Sequence, residues 1–229
     1  MDHMRMARGH ADPAVLSAQK RRVNEPHVAP LNALAAEISE ATRHAVPKFD
    51  PTSGGIHARA LLLLESPGPA STANTGSNII SPHNNDPTAE HIHILLRRNH
   101  IPFNRILLWN VVPWWLPAQA GKGRFRAPRT ADIEDAALWL DRLLELLPRL
   151  ETVMTLGRRA EAGLDRYRRR DRPFPYTTIA APHPGNRAWN RPELRTGTEA
   201  AFASLAGLLL DVAGGAHPDP INHWTPTHL

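Results

Sequence analysis

Cysteine is absent from the 229-residue sequence. Its absence excludes disulfide bonds, thiolate-bound metal ions and cysteine-ligated iron–sulfur clusters. No segment approaches the roughly 18 consecutive apolar residues that a membrane-spanning helix needs. Residues 1–28 carry scattered charges and no apolar core, unlike a secretory signal peptide. We therefore expect a cytoplasmic protein with no membrane partner.

The composition is otherwise ordinary, with 41% hydrophobic and 21% charged residues. Lys and Arg number 27 against 22 Asp and Glu, and the resulting net charge of +5 permits a polyanionic partner without requiring one. We expect a monomer with a basic N-terminal arm at residues 1–28, either mobile or a marginal helix. A single domain at 29–215 and a C-terminal tail at 216–229 complete the predicted organisation.

One apolar segment, Ala60–Leu64, ends abruptly at Glu65, Ser66 and a Pro-Gly-Pro turn. Four consecutive leucines follow neither a helical nor an alternating period, which favours a strand that is buried on both faces. The prolines cannot donate to a β-ladder, so the strand must end here. Because ligands bind beyond the carboxyl ends of parallel strands, Glu65 and Ser66 are candidate site residues, although Glu65 is equally well explained as a solvated loop carboxylate.

Further apolar segments alternate with helical patterns. They lie at residues 104–112, 151–156 and 176–181; the first carries Asn110 and the last is followed by His183. This alternation predicts an α/β fold, a three-layer αβα sandwich around a central, mostly parallel sheet of about four strands. Asn110 and His183 would then lie at the same sheet edge as Glu65. A structural role is the alternative for both, since a buried amide needs hydrogen-bond partners of some kind.

Two other groups of residues are ambiguous. Lys122 and Arg124 belong to a basic loop that suits phosphate contacts or is merely solvated. His91 and His93 suggest a metal site, but residues two apart on a helix point to different faces, so we expect no metal.

Three short motifs together resemble the uracil-DNA glycosylase superfamily. Leu64-Glu65-Ser66-Pro67-Gly68 is similar to the Gly-Glu-Ala-Pro-Gly loop of its iron–sulfur branch, and residues 108–113 (LWNVVP) are similar to the Thr-Asn-Val-Val segment. His183-Pro184-Gly185 resembles the late His-Pro-Ser loop. The motifs occur in the family's order, and the resemblance covers about residues 59–211.

The resemblance implies a cofactor-free enzyme of base-excision repair that binds uracil-containing DNA and releases free uracil. Asn110 would read the uracil edge, and His183 would stabilise the negative charge on the departing base. Glu65 would stabilise the sugar cation and orient water, with Ser66 as a weaker candidate for positioning water. Pro67, Gly68 and Ile80 would contact the base.

The sequence departs from the family pattern at the position of the aromatic residue that stacks on the base. Residues 79–81 (IIS) contain no aromatic residue, and Trp109, Trp114 and Trp115 are possible replacements, although core packing is the commoner fate of such residues. Ser66 also stands where many active members have Asp or Asn. These two departures leave open a DNA-binding protein without uracil excision. Excision of another deaminated base, such as hypoxanthine, is a further alternative.

A third departure lies in the last motif, where Gly185 replaces Ser. Asn186, Arg187 or Trp189 would have to fill the gap that the flipped base leaves in the duplex. The four cluster-binding cysteines of the iron–sulfur branch are absent, so the protein would be a cluster-free relative.

Overall fold

The fold was analysed in a computed structural model, which describes residues 6–72, 76–118, 126–170 and 173–211. The helices are α1 Pro13–Arg22, α2 Ala29–Thr42, α3 Pro87–Arg98, α4 Thr130–Glu145, α5 Arg158–Arg168, α6 Asn186–Trp189 and α7 Pro192–Asp211. The strands are β1 Lys48–Phe49, β2 Ala60–Leu64, β3 Ile79–Ile80, β4 Ile106–Asn110, β5 Thr152–Leu156 and β6 Thr177–Ala181.

The main sheet has four parallel strands in the order β4-β2-β5-β6. Helix α3 connects β2 to its neighbour β4, and the chain then crosses β2 through α4 to enter β5 on the other side. The carboxyl ends of all four strands therefore lie at one edge. Strands on both sides of β2 place a topological switch point at this edge, where α/β proteins bind ligands. The predicted three-layer αβα fold is confirmed.

Helices cover both faces of the sheet, which is why its central strands are continuously apolar. Leu61, Leu62 and Leu63 are completely buried. Helix α5 packs on β2 and β5 and also contacts α4, which contacts α2. Helix α7 packs on β5 and β6 and contacts α3. The run of leucines that predicted a buried strand is thus explained by the helices that cover the two faces of the sheet.

A second sheet, of two short strands, pairs β1 with β3 in parallel. We did not predict this sheet, since two-residue strands leave no recognisable pattern in a sequence. It is fixed to the core by Phe49, whose ring stacks on Trp109 of β4 with 4.1 Å between the ring centroids. Its consequence for the site is that Ile80, at the end of β3, is held near the carboxyl edge of the main sheet.

The N-terminal segment packs on the domain from Met6 onward in the described range. Within this segment, residues 13–22 form helix α1. His10 is buried and its Nδ1 lies 2.7 Å from Asn84 Oδ1. Asn32 of α2 donates from Nδ2 to the Val23 carbonyl oxygen at 2.6 Å and accepts from the Phe49 amide at 2.8 Å. One side chain thereby joins the end of the N-terminal segment to β1.

The tail predicted at residues 216–229 and the loop that contains Lys122 and Arg124 lie outside the described residues. Within the described part of the chain, no helix combines the length and hydropathy that crossing a membrane requires.

The double role of Asn32 predicts a large loss of stability when its amide is removed. In Asn32→Ala, the Val23 carbonyl and the Phe49 amide lose their partner in a site where Asn32 itself is only 7% exposed. We expect a loss of about 2–4 kcal/mol in the free energy of unfolding, measured by urea denaturation. Glu40→Ala, on the exposed face of the same helix, should change it by less than about 0.5 kcal/mol. Equal stability of the two variants would contradict this role.

Candidate active site

A cleft of about 1230 Å³ opens at the carboxyl edge of the main sheet. All four strands contribute to it, through the residues at or just after their ends. The sequence-predicted site residues that line this cleft are Glu65, Ser66, Pro67, Gly68, Ile80, Asn110, His183, Asn186 and Arg187. The structure thus brings together side chains that lie more than a hundred positions apart in the sequence.

Asn110 is the last residue of β4 and lies beside Leu64 of β2 in the sheet register. It is only 3% exposed and lines the cleft. Its side-chain amide has no hydrogen-bond partner among the described residues, and its oxygen and nitrogen are accessible from the cleft rather than enclosed by protein. One donor group and one acceptor are therefore available to a ligand in the cleft.

Glu65 is positioned by the backbone that follows the two central strands. The amide of Val111 donates to the Leu64 carbonyl oxygen at 2.8 Å, and the amide of Val112 donates to the Glu65 carbonyl oxygen at 3.1 Å. These bonds extend the β2–β4 pairing into the loops. The Glu65 carboxylate accepts from Nη1 of Arg159 on α5 at 2.8 Å, so its charge is paired within the cleft.

His183 presents a defined tautomer to the cleft. Its Nδ1 lies 2.9 Å from the backbone nitrogen of Gly185, which can only donate, so Nδ1 is the acceptor. Burial lowers the pKa of His183 from its ordinary value of 6.5, while the negative charges of Glu65 and Asp86 partly oppose that effect. A neutral imidazole with an unprotonated Nδ1 carries its proton on Nε2, where no described residue accepts it.

Two glycines make room for the imidazole. A Cβ at Gly157, which follows β5, would lie 2.9 Å from Cβ of His183, and a Cβ at Gly185 would lie 2.9 Å from its Nδ1. Gly157 also has a φ of +101°, a conformation that side chains other than glycine resist. The glycine at position 185, where the motif that it resembles has Ser, is therefore matched to the position of His183.

The loop after β6 is fixed to α3 by His91. Its Nδ1 donates to the Pro184 carbonyl oxygen at 2.6 Å, and its ring stacks on Trp189 with 4.0 Å between centroids. His91 and His93 face different neighbours, since the His93 ring lies against His83 instead. No group of three residues suited to metal binding occurs in the described part of the chain. Three residues were predicted to fill the duplex gap. Asn186 and Arg187 line the cleft, whereas Trp189 does not.

The tryptophans suggested as stacking partners for a base are not in the cleft. Trp109 stacks on Phe49, and Trp114 stacks on His44 with 5.7 Å between centroids. Trp115 is also absent from the cleft lining. Among the described residues that line the cleft, the imidazole of His183 is the one aromatic ring, and Ile80 offers an apolar surface instead.

Sequence reasoning missed several cleft residues. Asp86 was recognisable only as a helix cap before Pro87, yet it lines the cleft, and burial raises its pKa. Arg158 and Arg191 also line the cleft and are exposed. The Leu-Gly turn that ends β5 could have indicated Arg158, because it places the start of α5 at the carboxyl edge of the sheet. Lys122 and Arg124 cannot be located, since both lie outside the described residues.

No protein-family model and no curated protein sequence matches the chain. Among solved structures, the crystal structure of wild-type Pedobacter heparinus SMUG2 is 15% identical with a TM-score of 0.49, and it aligns over 69% of this chain and 77% of that protein. A solution structure of a Methanosarcina acetivorans protein, described as a candidate uracil DNA glycosylase, is 18% identical with a TM-score of 0.35 and aligns over 66% and 94%. These values do not place the chain in a family.

The charges around His183 predict how its pKa responds to mutation. Glu65→Gln removes a negative charge that favours the imidazolium, so the pKa of His183 should fall further below 6.5. NMR titration of the imidazole nitrogens measures this shift, and Nε2 should carry the proton at neutral pH. Glu134→Gln, whose carboxylate pairs with Arg166 outside the cleft, should leave the titration unchanged. A rise in the pKa of His183 in Glu65→Gln would contradict the geometry described for the cleft.

Proposed function

We propose that this protein is a uracil-DNA glycosylase that hydrolyses the bond between C1′ and N1 of a deoxyuridine rotated out of DNA. The observation that carries the proposal is the meeting of Asn110, His183 and an acid in one cleft at the carboxyl edge of the sheet. The motif order of the sequence supports the same activity. A base inside a duplex is inaccessible, and rotating it out costs about a few kcal/mol, so a shaped pocket must recognise it.

Asn110 suits the recognition of uracil. Its amide can donate to O4 and accept from N3–H, whereas cytosine presents a donor at C4 and an acceptor at N3. Asn110 is only 3% exposed as a residue, and its amide has no hydrogen-bond partner among the described residues. A base that cannot pair with this amide would leave it without hydrogen bonds in the closed site. That penalty separates uracil from other bases more strongly than the shape of the pocket does.

His183 suits stabilisation of the leaving base. Cleavage places the bonding electron pair on the uracil ring, and the resulting negative charge is shared with O2. The Nε2–H of a neutral imidazole can donate to O2, and the bond with Gly185 holds the ring in that tautomer. A pKa below 6.5 favours the neutral imidazole, which can donate a hydrogen bond from Nε2 to the leaving base.

The sugar side of the bond becomes positively charged, and an acid in the cleft can stabilise it. Glu65 lies in the loop after β2, with Ser66 beside it as a group that can hold water. Pro67, Gly68 and Ile80 form the apolar wall against which the base would lie.

DNA binding would use the arginines at the cleft rim. Arg158, Arg187 and Arg191 are exposed, and none of them has an ion-pair partner among the described residues. Backbone phosphates are the natural partners of such guanidinium groups. Asn186 and Arg187, which follow the His-Pro-Gly loop and line the cleft, would occupy the gap in the duplex.

A second candidate is a glycosylase for another deaminated base. It is favoured by one observation, that no Phe, Tyr or Trp lines the cleft in its described part. Ile80 and Pro67 offer apolar contact to a base in place of an aromatic ring. Assaying hypoxanthine-containing and uracil-containing DNA in parallel separates the two candidates.

Excision of uracil is the direct test of the proposal. Purified protein is incubated with a uracil-containing oligonucleotide, and abasic sites are cleaved with alkali. We expect strand scission, with single-turnover rates about 100- to 1,000-fold lower in His183→Ala and in Asn110→Ala, because each removes a hydrogen bond to the leaving base.

Two exposed residues outside the cleft supply matched controls for these variants. His57→Ala and Asn104→Ala should retain the wild-type rate. A protein that forms no abasic product from uracil at micromolar concentration would contradict the proposed activity. Salt-dependent DNA binding without turnover would instead identify a protein that binds DNA without excising uracil.

If Arg158 and Arg191 contact DNA phosphates, removing both guanidinium groups should weaken the salt dependence of DNA affinity. Arg158→Ala/Arg191→Ala should lower the slope of log K against log salt by about 0.9 for each phosphate of duplex DNA that the variant no longer neutralises. Fluorescence anisotropy across salt concentrations measures the slope. Arg97→Ala, exposed near the opposite end of α3, is the control and should leave the slope unchanged. An unchanged slope in the double variant would show that phosphates bind elsewhere.

A further inference from the structure

Three acids line the cleft, namely Glu65, Asp86 and Glu161, and the last of these is exposed on α5. Asp86 caps the N-terminus of α3, where its Oδ1 accepts from the amides of Thr88 at 2.9 Å and Ala89 at 3.1 Å. Its Oδ2 has no hydrogen-bond partner among the described residues. Two backbone donors thus fix the carboxylate while one oxygen remains available.

Glu65 is less available than Asp86. Arg159 donates to the Glu65 carboxylate at 2.8 Å, and a paired carboxylate is both a weaker base and a weaker source of negative potential. Asp86 has no such side-chain partner among the described residues. Arg8, in the N-terminal segment, acts on Asp86 through its charge, but its guanidinium donates to Glu90 at 2.7 Å and not to Asp86.

The charges around Asp86 agree with a role in the cleft. Its negative charge acts on His183, as that of Glu65 does, and the three residues line the same cleft. Burial raises the pKa of Asp86, while the two amide bonds, Arg8 and His183 lower it. A carboxylate whose pKa is raised accepts a proton more readily than an ordinary aspartate.

We propose that Asp86 is the catalytic carboxylate that faces the sugar and activates water, an inference that rests on the proposed glycosylase function. The bond between C1′ and N1 breaks, and its electron pair leaves with the uracil ring. The oxygen of water bonds to C1′ while one of its protons passes to Asp86, which returns it to solvent. The uracil anion, stabilised at O2 by Nε2–H of His183, takes up a proton from solvent.

A substitution that keeps the helix cap but removes the charge tests this role. Asn caps helices about as well as Asp, so Asp86→Asn should unfold at the temperature of the wild type. We expect its single-turnover rate of uracil excision to fall about 100-fold or more, the usual contribution of a positioned acid or base. Its affinity for DNA should be unchanged or higher, since the variant carries one negative charge fewer.

The chain contains a closely matched control. Asp12 also caps a helix, precedes a proline, and accepts from the amide of Ala14 at 2.8 Å, but it lies outside the cleft. Asp12→Asn should excise uracil at the wild-type rate. Asp86→Asn should also lose the part of the pH–rate profile that reports the wild-type carboxylate.

The outcomes separate this inference from the proposed function. An active wild type with Asp86→Asn as fast as Asp12→Asn would overturn the role of Asp86 alone. A loss of activity in Asp86→Asn that accompanies a lower unfolding temperature, with full activity restored at low temperature, would show a structural role and overturn the inference. A wild type inactive on uracil would overturn the function and this inference together.

Discussion

Parallel pairing of β2 with both β4 and β5 is the constraint on which the site depends. Parallel strands end at one edge, so residues that follow different strands meet although they are distant in the sequence. The pairing continues past the strands, where the amides of Val111 and Val112 bond to the carbonyls of Leu64 and Glu65. The positions of Asn110 and Glu65 are thereby set relative to each other by backbone hydrogen bonds, independently of any ligand.

The second constraint is steric and concerns His183. Its imidazole lies against two glycines, one of which has a backbone conformation that favours glycine. The Gly185 amide then fixes the tautomer, and His91 ties the loop to α3. Gly185 stands where the motif that this loop resembles has Ser, and its contact with the imidazole leaves no room for a Cβ beside the ring.

The sequence indicated the main sheet and much of the cleft, because both depend on local patterns. Four leucines in a row favour burial on both faces, and polar residues directly after such strands fall at the sheet edge. Features that depend on contacts between residues far apart in the sequence could not be predicted from local patterns. The pairing of β1 with β3, the stacking of Trp109 on Phe49 and the exclusion of Trp189 from the cleft involve partners far apart in the sequence. Asp86 was visible as a cap, but its place in the cleft depends on where α3 begins relative to the sheet.

We propose that Asn110 and His183 bind the same pyrimidine, and NMR of the labelled protein titrated with free uracil tests this proposal most directly. We expect the NMR signals of the Asn110 side-chain amide and of the His183 Nε2–H to shift together with one saturable dissociation constant. Cytosine should produce no such shifts. Shifts confined to residues outside the cleft, or separate binding curves for the two side chains, would contradict it.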